Sequence, residues 1–550
     1  MQARISEFAW GAEGMATNVV NLDAMIPRED MASPSGDIRA QNSEKISITD
    51  LDTGFFSAML RKPDFQRETA HWTPDKVANL IKAFVKGDLI PALILWRRGA
   101  NIFVIDGAHR LSALLAWIKD DYGVGRLSQE HFGSRIPEEQ ARIAAKTRDL
   151  VNAAVGPYAL FSGARHNPRT ASPEVLEIVG RLAANALVAQ WVPQVEQSAA
   201  EESFFTINQA ATPIDATEQQ ILRSRDRANA IASRAIVRGA TGHKYWAAFP
   251  EATRIEIEEK ARTIHEYLYA PPLSAPIKTL DVPIAGKGYS ALPFVYELVN
   301  WSNNVPDPPK GKHSALEPDI DGSATLEYLR SVQRSVGLIT GVDMRSLGLH
   351  PIVYFYTRGG EFQPAIFIAI ADFARQLVKR EKLVEFTRVR GRFEQFIITH
   401  KDFVTSIVKK TGGKDKSHPR LFRYFDKLIE ELSLEKDEMG VLQALVNSDE
   451  FSFLLSTQPL AIDQEDSNPR RRFNRATKSA AFLDAALPTA LKCAVCGGFV
   501  HVNSMQFDHK TEARNGGATD ASNAQVTHPY CNSAKSILQG IKFAAAEASA

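Results

Sequence analysis

At 550 residues, with 44% hydrophobic and 23% charged residues, the chain has the make-up of a soluble protein of three or four domains at ~100–200 residues each. A formal net charge of +1 says nothing about partners, so only local charged patches can point to one. The first residues lack the basic start and apolar stretch of a signal peptide, and the longest apolar runs, Ile90–Trp96 and Ala365–Ala371, fall far short of the ~20 residues that span a membrane, so a cytoplasmic protein with no membrane partner is expected.

In chain order, residues 1–45 are rich in Ala, Ser, Asn and Asp without periodicity and read as a loose lead-in. From Ile46 the pattern firms. Val77, Leu80, Ile81, Phe84 and Val85 share one face of a predicted helix. Ala92–Trp96 and Ile102–Ile105 read as buried strands and Leu111–Ile118 as an apolar helix, giving an α/β block over 46–125. Residues 126–300 read as a helical extension, with runs over Pro173–Ala189 and Thr217–Val237. The Pro/Gly/Asn-rich Asn300–His313 marks a loop or boundary. Residues 314–467 are again helical. Between Arg375 and Arg423 there is a clear excess of Lys and Arg over Asp and Glu, a candidate phosphate-backbone surface beside the plainer reading of a solvated helical face. A basic linker, 468–484, leads into the last region, 485–550.

All three cysteines lie in that last region, an odd count that argues against a disulfide framework and for metal binding. Cys493 and Cys496 are separated by two residues, as are His528 and Cys531, and that spacing lets each pair reach one tetrahedral ion. The four make the Cys3His donor set of a structural Zn2+. Between the pairs, alternating apolar residues lead into Asp508-His509, Gly516-Gly517 must form a loop, and Asn523 and Asn532 follow.

This order, CxxC, Asp-His, Gly-Gly, Asn, HxxC-Asn and Lys535, resembles the HNH endonucleases of ββα-metal fold with a zinc knuckle, over about Leu491–Ile541. His528 departs from the cysteine many relatives carry, and histidine is an equally good ligand. The resemblance implies phosphodiester hydrolysis of double-stranded DNA. His509 is then the general base. Asp508 and Asn532 offer the oxygens that a catalytic Mg2+ or Mn2+ needs. Adjacent residues on a strand point to opposite faces, so Asp508 and His509 are free to do different jobs. By resemblance Asn523 braces the loop that positions His509. Lys535 is placed to reach a phosphate, or is simply a solvated lysine.

A second resemblance covers about Ile46–Trp117. Gln66-Arg67, then Trp72, then Asp106-Gly107-Ala108-His109-Arg110 after a predicted strand, resemble the ParB/sulfiredoxin-like superfamily, in particular "DGQHR"-type modules of GmrSD-like restriction systems. Ala108 departs from the usual Gln. The resemblance implies a nucleotide site. An Asp-Gly turn would set His109 and Arg110 at a helix N-terminus, where free N–H groups favour anions. Arg67 and Arg110 can clamp phosphates, Gln66 can hold a polar ligand atom, and Asn208 is a candidate to return to the site or to cap its own helix. The expected whole is an α+β multidomain protein: a ParB-like α/β module, a mainly helical middle and a C-terminal ββα-metal domain.

The leading reading is therefore a restriction or anti-phage nuclease acting on DNA, modified or phage DNA included, gated by an N-terminal module that binds or hydrolyses an NTP, an additional NTPase activity; a homo-oligomer is compatible with it. A mobile-element nuclease whose module binds DNA without nucleotide chemistry is the second reading. A non-enzymatic ParB-like regulator is the third, and a purely structural knuckle would not need Asp-His plus Asn.

Overall fold

The computed structural model describes residues 19–31, 42–52, 54–64, 66, 69, 71–133, 136–193, 197–211, 216–286, 291–306, 316–411, 414–456 and 473–538. They form two compact units. The first takes the residues up to Arg225 together with Thr241–Tyr245; the second takes Asp226–Ala240 and the described residues after Tyr245. Among the described residues no helix is long and apolar enough to cross a membrane.

The first unit is built on one mixed sheet. Its strands are β1 (Arg28–Glu29), β2 (Lys45–Ser47), β3 (Leu60–Pro63), β4 (Leu93–Arg98), β5 (Asn101–Asp106) and β6 (Ala186–Trp191), in the order β1-β3-β5-β4-β6-β2. β4 and β5 form an antiparallel hairpin closed by Gly99-Ala100, with Trp96 opposite Phe103, while β3 runs parallel to β5. Alternation along the strands splits the core in two. Leu93, Leu95, Ile102 and Val104 face helices α1 (Pro74–Lys86) and α2 (Ala108–Lys119), which supply Val77, Ile81, Phe84, Leu111, Leu114 and Trp117. Trp96, Phe103 and Ile105 face Phe204 and Phe205 of α3 (Gln197–Ala211). α1 begins where the sequence says it should: the Thr73 side chain accepts the Lys76 N–H, Pro74 follows, and Gly87 ends the helix at φ 80°.

The second unit is helical with the metal motif packed into it. α4 (Ala228–Val237), α5 (Glu251–Tyr269), α6 (Leu292–Ser302) and α7 (Ser323–Ile339) pack on one another. α8 (Pro364–Lys379), α9 (Leu383–Thr399) and α10 (Lys414–Ser433) follow, joined by an aromatic cluster in which Phe373 stacks on Phe393 at 6.1 Å and Phe425 approaches both. The C-terminal motif is small: a hairpin of β7 (Gln506–His509) and β8 (Ala524–Thr527), then α11 (Pro529–Ser533).

Several expectations change. Residues 19–31 are no loose lead-in: Val20, Leu22, Met25, Ile26 and Met31 are buried, and β1 joins the sheet. The predicted helix over Pro173–Ala189 stops at Ala184, and its last residues belong to β6, where alternate side chains are buried between strand neighbours. The run over Thr217–Val237 is two helices, Ala216–Arg223 and α4, and the break between them coincides with the boundary of the units. Helices from both sides of residue 300 share the second unit, and part of the predicted 468–484 linker is a helix, Arg475–Ala486, whose Ser479 accepts the Ile277 N–H. Part of the basic stretch is paired with acids of the same unit or buried. Arg375 pairs with Asp372, Arg380 and Lys382 with Asp426, and Arg420 and Arg423 with Glu450, while Arg390 is buried and the half-buried Lys401 donates to the Ile352 carbonyl.

Candidate functional sites

In the C-terminal motif Cys493, Cys496, His528 and Cys531 are all buried, and their ligand atoms lie within 4.8 Å of one another. The backbone is wound for a metal. The Gly498 N–H donates to Cys496 Sγ at 3.4 Å, and the Cys493 N–H to the Gly498 carbonyl at 2.8 Å. His528 Nε2 donates to the Phe499 carbonyl at 2.9 Å, which turns the Nδ1 lone pair toward the sulfurs, 3.4 Å from Cys496 Sγ. Three sulfurs and one imidazole in a closed, buried tetrad form a structural zinc-binding cluster.

Directly behind the cluster stands Arg390 of α9. Its Nε donates to Glu394 Oε1 at 2.7 Å, its other nitrogens donate to the Leu347 and Gly348 carbonyls, and it lies 3.2 Å from His528 Nδ1. Glu394 in turn accepts the Phe499 N–H at 2.6 Å and the Tyr354 hydroxyl at 2.9 Å. Burial opposes the Arg390 charge, but Glu394 and the sulfurs of Cys496 and Cys531 hold its pKa above the ordinary value.

The hairpin carries the remaining residues. Asp508 and His509 are consecutive on β7 and pair with Gln525 and Ala524 of β8. The Asp508 carboxylate accepts Gln525 Nε2 at 2.9 Å and lies 2.9 Å from Lys535 Nζ. Partial burial raises its pKa, and the bonds from Lys535 and Gln525 outweigh that and bring it below the ordinary value, so the group is a carboxylate at neutral pH. Lys535 is neither solvated nor extended to a surface: it is buried, held by Asp508 and by the His509 carbonyl. The His509 ring has no hydrogen-bond partner among the described residues. Asn532 Nδ2 donates to Gln506 Oε1 at 3.0 Å, which leaves Oδ1 as its unengaged atom among the described residues. Asn523 braces the loop after β7: its Oδ1 accepts the Thr511 N–H, and its Nδ2 donates to the Thr511 and Ala518 carbonyls. A Cβ on Gly517 would lie 1.8 Å from the Thr511 carbonyl oxygen, so only glycine lets the loop close.

In the first unit, Asp106 ends β5 and Gly107 turns the chain at φ 100° into α2. His109 and Arg110 therefore sit in the first turn of that helix. Arg110 folds back on Asp106 at 2.5 Å, which commits part of its guanidinium. His109 stacks on Trp72 with ring centroids 5.5 Å apart. Gln66 is buried; its Nε2 donates to the carbonyl of Val104, two residues before Asp106 on β5, and its Oε1 has no partner among the described residues. Arg67 lies outside the described residues. Asn208 falls on α3, with its side chain outside what is described.

Sequence reasoning missed what holds this site. Asp23, fully buried, pairs with Arg28 at 2.8 Å and Lys62 at 2.7 Å, and accepts the Thr69 N–H at 3.0 Å. Arg28 also donates to the Gln66 carbonyl. Burial pushes the Asp23 pKa up, but the two cations prevail and hold it well below the ordinary value. The same burial brings the Lys62 ammonium down to about 8. Compared with known families, residues 48–225 match the GmrSD restriction endonuclease, N-terminal domain, and residues 493–537 match the HNH endonuclease. No curated protein and no solved structure matches the chain.

Proposed function

We propose that this chain, a restriction-type nuclease carrying a GmrSD N-terminal domain and an HNH endonuclease domain, hydrolyses phosphodiester bonds of double-stranded DNA in a reaction that needs Mg2+ or Mn2+ and is gated by a nucleotide at its N-terminal domain. The observation that supports the catalytic part best is the disposition of three groups. Asp508 is held ionised by Lys535 and Gln525, Asn532 has its amide nitrogen occupied by Gln506, and His509 sits next to Asp508 on β7 with a ring that has no hydrogen-bond partner among the described residues.

Asp508 and the Asn532 carbonyl are the oxygens that would hold a hard divalent ion, whose chemistry is positive charge at the scissile phosphate. His509 takes the proton of the attacking water as the new P–O bond forms, while the P–O bond to the leaving deoxyribose oxygen breaks and that oxygen takes a proton from solvent. Asn523 keeps the loop beyond β7 closed and so fixes the backbone just after His509. The zinc cluster takes no part in the chemistry and anchors both the chain before β7 and α11.

For the gate, the supporting features are the Trp72–His109 stack, the buried Gln66 oxygen that has no partner among the described residues, and Arg110 at a helix start. A nucleotide there shifts cutting only by its different affinity for the competent and idle states.

The test is the His509→Ala protein. It should lose cleavage of plasmid DNA by ~10²-fold or more, keep its fold and DNA binding, and still bind an NTP in calorimetry. Near-wild-type nicking overturns the catalytic assignment. Absence of heat with every NTP, with and without DNA, overturns the gate and favours the mobile-element reading.

A further inference from the structure

The chain that leaves α7 does not return directly to the helical core. It runs along the edge of the HNH motif, tied to it at nearly every residue. Thr340 Oγ1 meets Ser504 Oγ at 3.3 Å, and the Gly341 N–H donates to the same hydroxyl at 3.0 Å. The Val342 carbonyl accepts Gln506 Nε2 at 2.9 Å, and the Met344 carbonyl accepts Ser533 Oγ at 2.9 Å. The Ser346 carbonyl accepts the Tyr530 N–H at 3.0 Å. The residues that hold the loop flank Asn532 on both sides. One of them, Gln506, joins Asn532 and Val342 through the two ends of a single amide.

With the carbonyls of residues 342 and 344 turned inward, their side chains are left outside. Val342 is 62% and Met344 71% exposed. Arg345 is also exposed, with its side chain at 80%. Single exposed apolar residues are ordinary on a surface. Two of them on a backbone pinned this tightly, beside the candidate ligand of a nuclease, are a different matter. Asp343, the one acid here, is exposed as well: its carboxylate accepts the Arg345 N–H at 3.0 Å and lies 3.7 Å from Arg345 Nε, and its carbonyl accepts the Ser346 N–H at 2.8 Å, so the wedge meets DNA only if Arg345 turns from Asp343 to the groove.

We propose that residues 342–345 are a wedge that enters the minor groove of the DNA next to the cutting site, Met344 and Val342 prising a base step and Arg345 lying against the groove. Apolar wedges with a neighbouring arginine are the chemistry by which proteins unstack and bend duplex DNA. Because the loop and Asn532 share Gln506, a bend made at the wedge sets where the phosphate meets the catalytic residues. The proposal rests on the reading that the HNH domain cuts double-stranded DNA.

The experiment uses the full chain and a duplex containing a mapped cut site, with 2-aminopurine placed at successive flanking steps. The His509→Ala protein, which binds without cutting, should raise the fluorescence at one step. His509→Ala/Met344→Gln should lose that rise and bind about tenfold more weakly. Arg345→Gln should reduce the salt dependence of binding by about one unit of slope. Melting temperatures should not move, since both side chains are exposed. Cutting by the wild type with no fluorescence change, and cutting by Met344→Gln at the wild-type rate, overturns the wedge while leaving the nuclease reading intact. Failure of the wild type to cut any duplex overturns that reading and the wedge with it. A change in sedimentation by Met344→Gln, with DNA binding untouched, assigns the loop to contact between copies of the chain and overturns the wedge as well.

Discussion

The two sites are supported in opposite ways. In the first unit the candidate nucleotide site hangs on a six-stranded sheet with apolar layers on both faces, and the polar residues are inlaid into a core that stands by itself. The HNH motif has two four-residue strands and a five-residue helix, and its core consists of the metal cluster and a few neighbours such as Val500 and Met505. So small an element cannot bury enough surface to hold a geometry. It borrows rigidity from a metal inside and from α9 outside. A large domain can tolerate a blemish in its site, whereas a small motif transmits every loss to its candidate catalytic residues.

The sharpest way to break this comparison is to remove the metal. Cys493→Ser, or exhaustive chelation, should release one zinc per chain and expose residues 491–538 to hydrogen exchange, leaving the sheet of the first unit protected. Structural zinc contributes on the order of 10 kcal/mol in small sites, far more than the motif's own core supplies. Retained protection in a zinc-free sample would show that the motif stands without its metal.

The next largest effect separates the outer support from the inner one. Arg390→Met leaves Glu394 buried without its cation and should cost about 3–5 kcal/mol, read as a lower melting temperature of the second unit. Arg390→Met/Glu394→Leu should recover part of that loss. If the single variant melts with the wild type, α9 is not the buttress.

The smallest effect is in pH, and it should divide the two regions. His350 and His501 lie near the motif with rings 5.6 Å apart, both buried. Burial lowers the His501 pKa to about 4 and moves His350 in the same direction. The unfolded chain then binds protons that the folded unit refuses, so stability falls as pH drops from about 6.5, the unfolded value, to about 4. Asp23 behaves differently. Its pKa is depressed, so its contribution is intact above the unfolded value of about 3.9 and is lost only as pH falls further. Acid titration followed by calorimetry should melt the second unit first. His501→Phe should flatten its slope between pH 6.5 and 4.

What could be read from the sequence had local chemistry. CxxC, Asp-His, HxxC and Asp-Gly before a helix are patterns whose parts lie within a few residues of one another. Asp23, Arg28, Lys62, Arg390 and Glu394 carry no such sign. Each looks like a surface charge until folding brings it a partner from far along the chain: Lys62 is 39 residues from Asp23, and Arg390 is 138 from His528. β6 escaped notice because its apolar residues continue the helix before it, and only pairing with β2 and β4 fixes its period. Lys535 was legible as a position and not as a partner, since nothing in the spacing says that its ammonium turns inward to Asp508.

One close approach bears on how this protein could be recombined. The Gly391 N–H donates to the Cys496 carbonyl at 3.1 Å, and a Cβ on Gly391 would sit 3.2 Å from the carbonyl carbon of Gly497. Helix and knuckle therefore meet backbone to backbone, with no side chain in between to adjust. A graft cut in the stretch before residue 473 would carry the motif away from the surface moulded to it. The transplantable piece is larger than the family match at 493–537: it starts upstream of α9 and includes the loop at 340–346.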